Sequence, residues 1–219
     1  VEENIATLTI DDGKANAVSF QFLDEVNAAL DQAEQDRAVT ILTGRPGKFS
    51  AGFDLSVLSS GADAAATLVR NGALLCARLL GFPTPVVAAC NGHSLALGAL
   101  LLLSTDVRIG TEGNYKIGTN EVAIGMPLPH FGVEIARHRL PPTHFSRAVA
   151  NAEIYTPQGA VEAGFLDVVV SEDELTETAM ESARGLAKLD PAAYYATKRR
   201  AREQAIRTIN EAIEKEYGT

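Results

Sequence analysis

Asn91-Gly92-His93-Ser94-Leu95-Ala96-Leu97-Gly98-Ala99-Leu100-Leu101-Leu102-Leu103-Ser104-Thr105-Asp106 is the stretch on which the reading of this chain turns. Before it, Pro85 to Cys90 is a short apolar run of β-branched and small residues between proline and Asn-Gly, the pattern of a strand buried on both faces. After the turn, Leu95 to Leu103 is apolar all round, which predicts a helix in the middle of the protein that is too short to cross a bilayer. The first N–H groups of a helix have no acceptor within it. A helix that starts inside a protein therefore presents donors to whatever occupies that space, and a developing negative charge suits them.

Working upstream, Ile5 to Ile10 sets Ala6, Leu8 and Ile10 on one face and Thr7 and Thr9 on the other, a half-buried strand closed by Asp11-Asp12-Gly13. Ser19 caps a predicted helix whose apolar positions Phe22, Leu23, Val26, Leu30 and Ala33 share one side. Ala38 to Thr43 is a second strand, and Thr43 to Leu55 leaves it through glycines, with Gly52 marking a sharp turn or a close approach. A helix from about Ala64 to Leu80 is stopped by Phe82-Pro83-Thr84-Pro85.

Downstream, Asp106 to Ile109 and Tyr115 to Ile117 read as strands, followed by a loop from Gly118 to Gly125. His130 to Leu140 and Thr143 to Asn151 are predicted helices parted by Pro141-Pro142. Thr156-Pro157 opens a helix that Gly164 stops, Leu166 to Val170 is the last strand, and long amphipathic helices run from Asp173 to Leu189 and from Asp190 to Tyr217. Strands alternating with helices over residues 1–170, then helices over 171–219, give an α/β core with a helical C-terminal region.

The 219 residues carry a formal net charge of −9, which disfavours nucleic acid and anionic membranes as partners. Cys76 and Cys90 lie in apolar runs without metal-ligand spacing, as buried reduced thiols of a cytoplasmic protein would. Val1 begins almost directly in a strand pattern without a signal-peptide profile, so a cytoplasmic location is expected unless an upstream targeting segment has been trimmed.

Gly92-His93-Ser94-Leu95-Ala96 nearly spells a nucleophile elbow. The chain order opposes it, because no histidine follows His144 and Asp106 is the only aspartate between Ser94 and the three later histidines. Ser94 is instead expected to be a small turn residue near a helix start.

Phe49-Ser50-Ala51-Gly52-Phe53-Asp54-Leu55, taken with Asn91-Gly92 and the helix start at Leu95 to Gly98, resembles the crotonase (enoyl-CoA hydratase/isomerase) superfamily. Asn16-Ala17, Thr43-Gly44, Asp106-Val107-Arg108-Ile109 and Ala163-Gly164-Phe165-Leu166-Asp167 extend the likeness through nearly the whole chain. The resemblance implies an α/β spiral of repeated ββα units and a homotrimer or dimer of trimers, with residues 171–219 serving trimerisation and part of the active-site cover. It also implies an acyl-CoA thioester substrate, with coenzyme A arriving as part of that substrate, no permanently bound cofactor and no metal.

By the same resemblance, the backbone N–H groups of Phe53 and Leu97 hold the thioester oxygen as it becomes an enolate. Ala51, Gly52, Asp54, Leu55, Gly98, Leu100 and Asn120 fall at positions expected to line the substrate. Hydratases of this family carry two glutamates; here the first position is Leu100 and the second is Glu121. A leucine cannot orient or deprotonate water, whereas one carboxylate can shift a proton from C2 of a 3-enoyl thioester to C4. The Asn120-Glu121 pair looks like the mitochondrial type of 3,2-enoyl-CoA isomerase, although Met126-Pro127-Leu128-Pro129 is richer in proline than the hydratase loop. The expected activity is 3,2-enoyl-CoA isomerisation with Glu121 as the single acid/base. Hydration, thioester hydrolysis and carbon-carbon bond formation are the alternatives within the superfamily, and a non-catalytic RNA-associated homologue is the alternative outside it.

His93, His130, His138 and His144 have neither metal spacing nor a paired acid and read as structural or surface groups, with His130 placed to border the acyl pocket. Lys198-Arg199-Arg200-Ala201-Arg202 reads as the solvated face of a helix, or alternatively as a partner for the coenzyme A phosphates.

Overall fold

The computed structural model describes residues 3–218 and winds them as a spiral. Its first turn is β1 (Ile5–Thr9), β2 (Ala17–Val18) and α1 (Phe20–Gln35). The second is β3 (Val39–Thr43), β4 (Gly47–Ser50), β5 (Gly52–Phe53), α2 (Leu55–Leu58) and α3 (Ala62–Leu80). The third is β6 (Val86–Cys90), β7 (Gly92–Leu95) and α4 (Leu97–Ser104). A fourth begins with β8 (Val107–Thr111) and β9 (Ile117–Gly118) and passes through α5 (His130–Arg139), α6 (Pro142–Val149) and α7 (Pro157–Ala163) to β10 (Val168–Val170). The chain finishes on α8 (Leu175–Ala187) and α9 (Pro191–Tyr217).

Each turn gives its first strand to one sheet, ordered β1-β3-β6-β8-β10 with every pair parallel. Its next strand goes to a smaller parallel sheet, β4-β7-β9 or β2-β5. This is the repeated strand-strand-helix spiral that the resemblance implies. The main sheet is covered on both sides, as parallel sheets are. Ile5, Val39, Ile41, Val87, Ala89 and Ile109 pack against α8, and the other face joins the large core around α3 and α4. In α4 the five leucines are each no more than 1% exposed, and at roughly 1.5–3 kcal/mol for a buried leucine this explains a helix without a polar face.

Helix boundaries follow their predicted caps. The Ser19 hydroxyl accepts from Phe22 N–H, Thr156 from Gly159 N–H and Asp190 from Ala193 N–H, while Gly164 takes the left-handed conformation after α7. The Thr43–Leu55 segment, which leaves β3 through glycines as expected, also carries β4 and β5, strands too short to show any alternation. Two expectations fail. The central helix starts at Leu97 rather than Leu95, because Leu95 pairs with Gly118 across β7 and β9. Ser94 accordingly lies within β7, fully buried, and not in a turn.

The Lys198–Arg202 run is only partly solvated. Lys198 Nζ sits 2.8 Å and Arg202 Nη2 2.9 Å from the carboxylate of Asp106, all three largely buried. Arg202 also donates to Leu80 O, Arg139 to Leu103 O and Thr105 O, and Arg108 to Gly164 O and Asp167. These carbonyls end α3, α4 and α7, where unpaired C=O groups leave partial negative charge. Buried cations outnumber carboxylates here because helix ends supply the remaining acceptors. Burial pulls the Lys198 ammonium down to about 8, and Arg199 and Arg200 alone of the run's cations point to solvent.

Candidate active site

Two short segments meet at the head of α4. Asn16, fully buried, donates from Nδ2 to Ile10 O, Lys48 O and Phe49 O, and its own carbonyl accepts from Ser50 Oγ at 2.8 Å. This fixes the end of β4 and leads the chain through Ala51 into β5. There Gly52, at φ +89°, approaches α4 so closely that a Cβ on it would lie 2.6 Å from Ala96 Cβ and 3.3 Å from Leu97 N. From the other side, a Cβ on Gly98 would lie 2.4 Å from Ser50 O. Both glycines are required by contact, and they bring the two motifs together.

The N–H groups of Phe53 and Leu97 lie at this junction. Val18 pairs with Phe53, and Asp54 N–H donates to Val18 O at 3.0 Å. Alternate residues of a parallel strand turn their N–H groups to opposite edges, so the Phe53 N–H faces away from β2, on a side where β5 has no strand. Leu97 is the first residue of α4, and Ala96 O is taken by the N–H groups of Ala99 and Leu100, leaving Leu97 N–H without an acceptor in the helix. The side chains of Phe53 and Leu97 both pack against Gly72 of α3. Ala96 makes the junction with φ +51° and ψ −125°, unusual for a residue with a side chain. Nothing in the sequence pattern singles Ala96 out.

Ala96 N–H donates to Gly118 O at 3.1 Å, which ties the head of α4 to the loop that carries Glu121. In that loop Thr119 is buried and its hydroxyl donates to Ala148 O at 2.8 Å. Glu121 is 8% exposed, and burial pushes its carboxyl up to about 7. Its Oε2 is buried without a hydrogen-bond partner, as is Oδ1 of the neighbouring Asn120. The Glu121 carbonyl accepts from the N–H groups of Ile124 and Met126, closing a tight turn over Val122–Ile124. A buried carboxyl that titrates near neutrality can take a proton and return it.

Leu100, 1% exposed, lies with Leu128 against Gly132 of α5, just beyond the proline-rich segment that follows Glu121. Asp54 is committed elsewhere: its carboxylate accepts from Ser56 N–H and Ser56 Oγ at the start of α2, and these bonds hold it below the usual carboxylate range. Ala51 is exposed beside it, and Leu55 is 66% exposed on α2. A groove of about 1120 Å³ runs along β1 and α1 and ends at Asp54 and Ser56; Glu121 and Leu97 do not line it. The two backbone N–H groups and the Glu121 carboxyl therefore stand apart from this groove.

The histidines lie outside this constellation. His93 stacks edge-on with Tyr115 and accepts from Lys116 N–H, and His144 Nδ1 is 3.4 Å from Tyr155 Oη. His138, held down to about 4 by burial and by Arg139 and Arg202, belongs beside the cation network, while the backbone N–H of His130 is held by Glu216. Burial pushes both free thiols, Cys76 and Cys90, up to about 12. Among the described residues no group of three or more His, Cys, Asp or Glu could hold a metal ion, and no helix is long and apolar enough to cross a membrane.

Comparison with known proteins gives a consistent result. The family described as enoyl-CoA hydratase/isomerase matches residues 1–218. The chain is 32% identical over 188 residues to 2,3-dehydroadipyl-CoA hydratase of Escherichia coli (strain K12), covering 86% of this chain and 72% of that protein. It is 30% identical over 183 residues to human mitochondrial enoyl-CoA delta isomerase 1, covering 81% of this chain and 61% of that one. Among solved structures, an enoyl-CoA hydratase/isomerase family protein from Pseudomonas syringae superposes with a TM-score of 0.97 at 48% identity, covering 98% of this chain and 94% of the other.

Proposed function

The chain belongs to the enoyl-CoA hydratase/isomerase family, and from that premise we propose that it moves the double bond of a 3-enoyl-CoA thioester to the 2 position. The Glu121 carboxylate removes a proton from C2. The electron pair spreads over the dienolate, whose oxygen accepts hydrogen bonds from Phe53 N–H and Leu97 N–H. The protonated Glu121 returns the proton to C4, leaving the double bond between C2 and C3 and the enzyme as it began. Loss of one such oxygen donor costs about 10² to 10³ in rate. Coenzyme A enters as part of the substrate, and the proton shift needs no further cofactor. Assembly as a trimer or a dimer of trimers belongs to the same proposal.

One observation carries this reading: among the described residues Glu121 is the only buried glutamate, while the position three residues past Leu97 holds buried Leu100. A single carboxyl titrating near 7 is sufficient for a proton shuttle. A second reading, hydration of a 2-enoyl-CoA, has its own support. Asn120 Oδ1 and Glu121 Oε2 are two buried acceptors without donors, and a water molecule has two O–H groups to offer them. The relative from Escherichia coli is named as a hydratase. Incubating the protein separately with 3-enoyl-CoA and 2-enoyl-CoA and identifying the products tests the two. Conversion of the first to 2-enoyl-CoA, with little 3-hydroxyacyl-CoA from the second, is expected; efficient hydration overturns isomerisation as the main activity.

A further inference from the structure

No other residue's hydrogen bond reaches the buried Oε2 of Glu121, and the carboxyl's backbone hydrogen bond is to its own residue, so its aim depends on how the loop that carries it is held. Residues 122–127 are all exposed, and the turn that follows Glu121 is closed by short-range bonds within itself, from Ile124 and Met126 N–H to the Glu121 carbonyl and from Gly125 N–H to Val122 O. Fixation of the carboxyl must therefore come from the chain before it. Gly118 O is bound by Ala96 N–H, and the half-buried Asn120 leaves its Oδ1 unpartnered. Between them, Thr119 is 2% exposed and its hydroxyl donates to Ala148 O at 2.8 Å. Ala148 is the penultimate residue of α6, so its carbonyl is one that the helix leaves unpaired.

We propose that Thr119 is a positioning residue, whose bond to the end of α6 fixes the loop two residues before Glu121 and so aims the carboxyl at the substrate. The proposal rests on Glu121 as the acid/base of the site. Threonine at this place does what a valine of nearly the same shape cannot: it supplies the donor that a buried helix-end carbonyl lacks. Without that donor the loop keeps its bond to Ala96 and can pivot about it. A displacement on the order of 1 Å at the reacting group is enough to cost up to about a hundredfold in rate.

The test compares Thr119→Val and Thr119→Ser with the wild type in two measurements. The first is kcat and KM on whichever enoyl-CoA the wild type turns over. The second is the titration of the Glu121 carboxyl in free protein, followed by NMR of carboxyl-labelled glutamate and assigned by the signal missing in Glu121→Gln. Thr119→Val is expected to lower kcat about 10- to 100-fold with KM within about twofold, and to move the carboxyl titration down from about 7 as solvent reaches it. Thr119→Ser, which keeps the hydroxyl, should restore both. If Thr119→Val does not fold, Thr119→Ala makes the same comparison. An unchanged titration and kcat overturn the proposal whatever happens to melting temperature, and so does a fall in kcat with an unmoved titration. Because the titration needs no substrate, it tests Thr119 even if the wild type proves not to be an isomerase.

Discussion

Gly52 and Ala96 face one another across the site at a separation that leaves no room for a second methyl group: a Cβ on Gly52 would stand 2.6 Å from that of Ala96. Gly52→Ala must push β5 away from α4, or twist a residue at φ +89°. Either displaces the Phe53 or the Leu97 donor. The expected result is a loss of about 10² to 10³ in kcat, the value of one oxyanion donor, together with a lower melting temperature. Wild-type kcat in a folded Gly52→Ala protein would remove this approach from the mechanism.

Glu121→Gln should reduce kcat by at least about two orders of magnitude with thioester affinity nearly unchanged, as expected when a general base is removed. Its effect on stability has the opposite sign. Burial raises the folded carboxyl from 4.5 to about 7, so the stability it contributes is complete below pH 4.5 and is lost as pH rises through about 7. The loss amounts to roughly 3 kcal/mol at most. Denaturant melts at pH 4.5 and pH 8 should show Glu121→Gln gaining on the wild type as pH rises. A constant difference between the two proteins would mean that the buried carboxyl is not penalised.

Leu100→Glu places a second carboxyl on α4 one turn past Leu97. In a site where Leu100 is 1% exposed it must enter largely protonated and at a cost in stability. The ratio of 3-hydroxyacyl-CoA to 2-enoyl-CoA product is expected to rise relative to wild type. A variant that folds and shows no change in that ratio would separate Leu100 from reaction choice.

Ser94→Ala should be nearly silent. The Ser94 hydroxyl is buried in β7 without a partner, so removing it deletes an unsatisfied group and not a nucleophile. Turnover and melting temperature within error of wild type are expected. Loss of an esterase activity in this variant would return Ser94 to consideration as a nucleophile.

What the sequence made legible follows burial and locality. The strands of the main sheet announce themselves because β3 and β6 are buried on both faces and consist mostly of β-branched or small residues, with threonine the only polar type among them. The caps at Ser19, Thr156 and Asp190 act within three residues and are equally plain. β4, β5 and β7 are hidden because two to four residues rich in glycine and polar groups become strands only by pairing with distant partners, as Gly47 does with Gly92. Lys198 gave no sign of being buried because Asp106, its partner, is 92 residues away. Glu121 is one of 28 acidic residues and carries no local mark; family resemblance selected it, and its burial arises from packing that the sequence around it does not show.

The hydrogen bond from Ala96 N–H to Gly118 O joins the segment proposed to hold the oxyanion to the segment proposed to hold the base, and it does so entirely through main chain. The spacing between the two halves of the proposed catalytic apparatus is thereby written in backbone, as in a caliper whose jaws are locked while the tips can be changed. Side chains at 97, 100 and 120 can then be exchanged without resetting that gauge. A family built on such a frame can pass from one enolate reaction to another through a handful of substitutions, each altering which proton moves and leaving untouched where the oxygen sits.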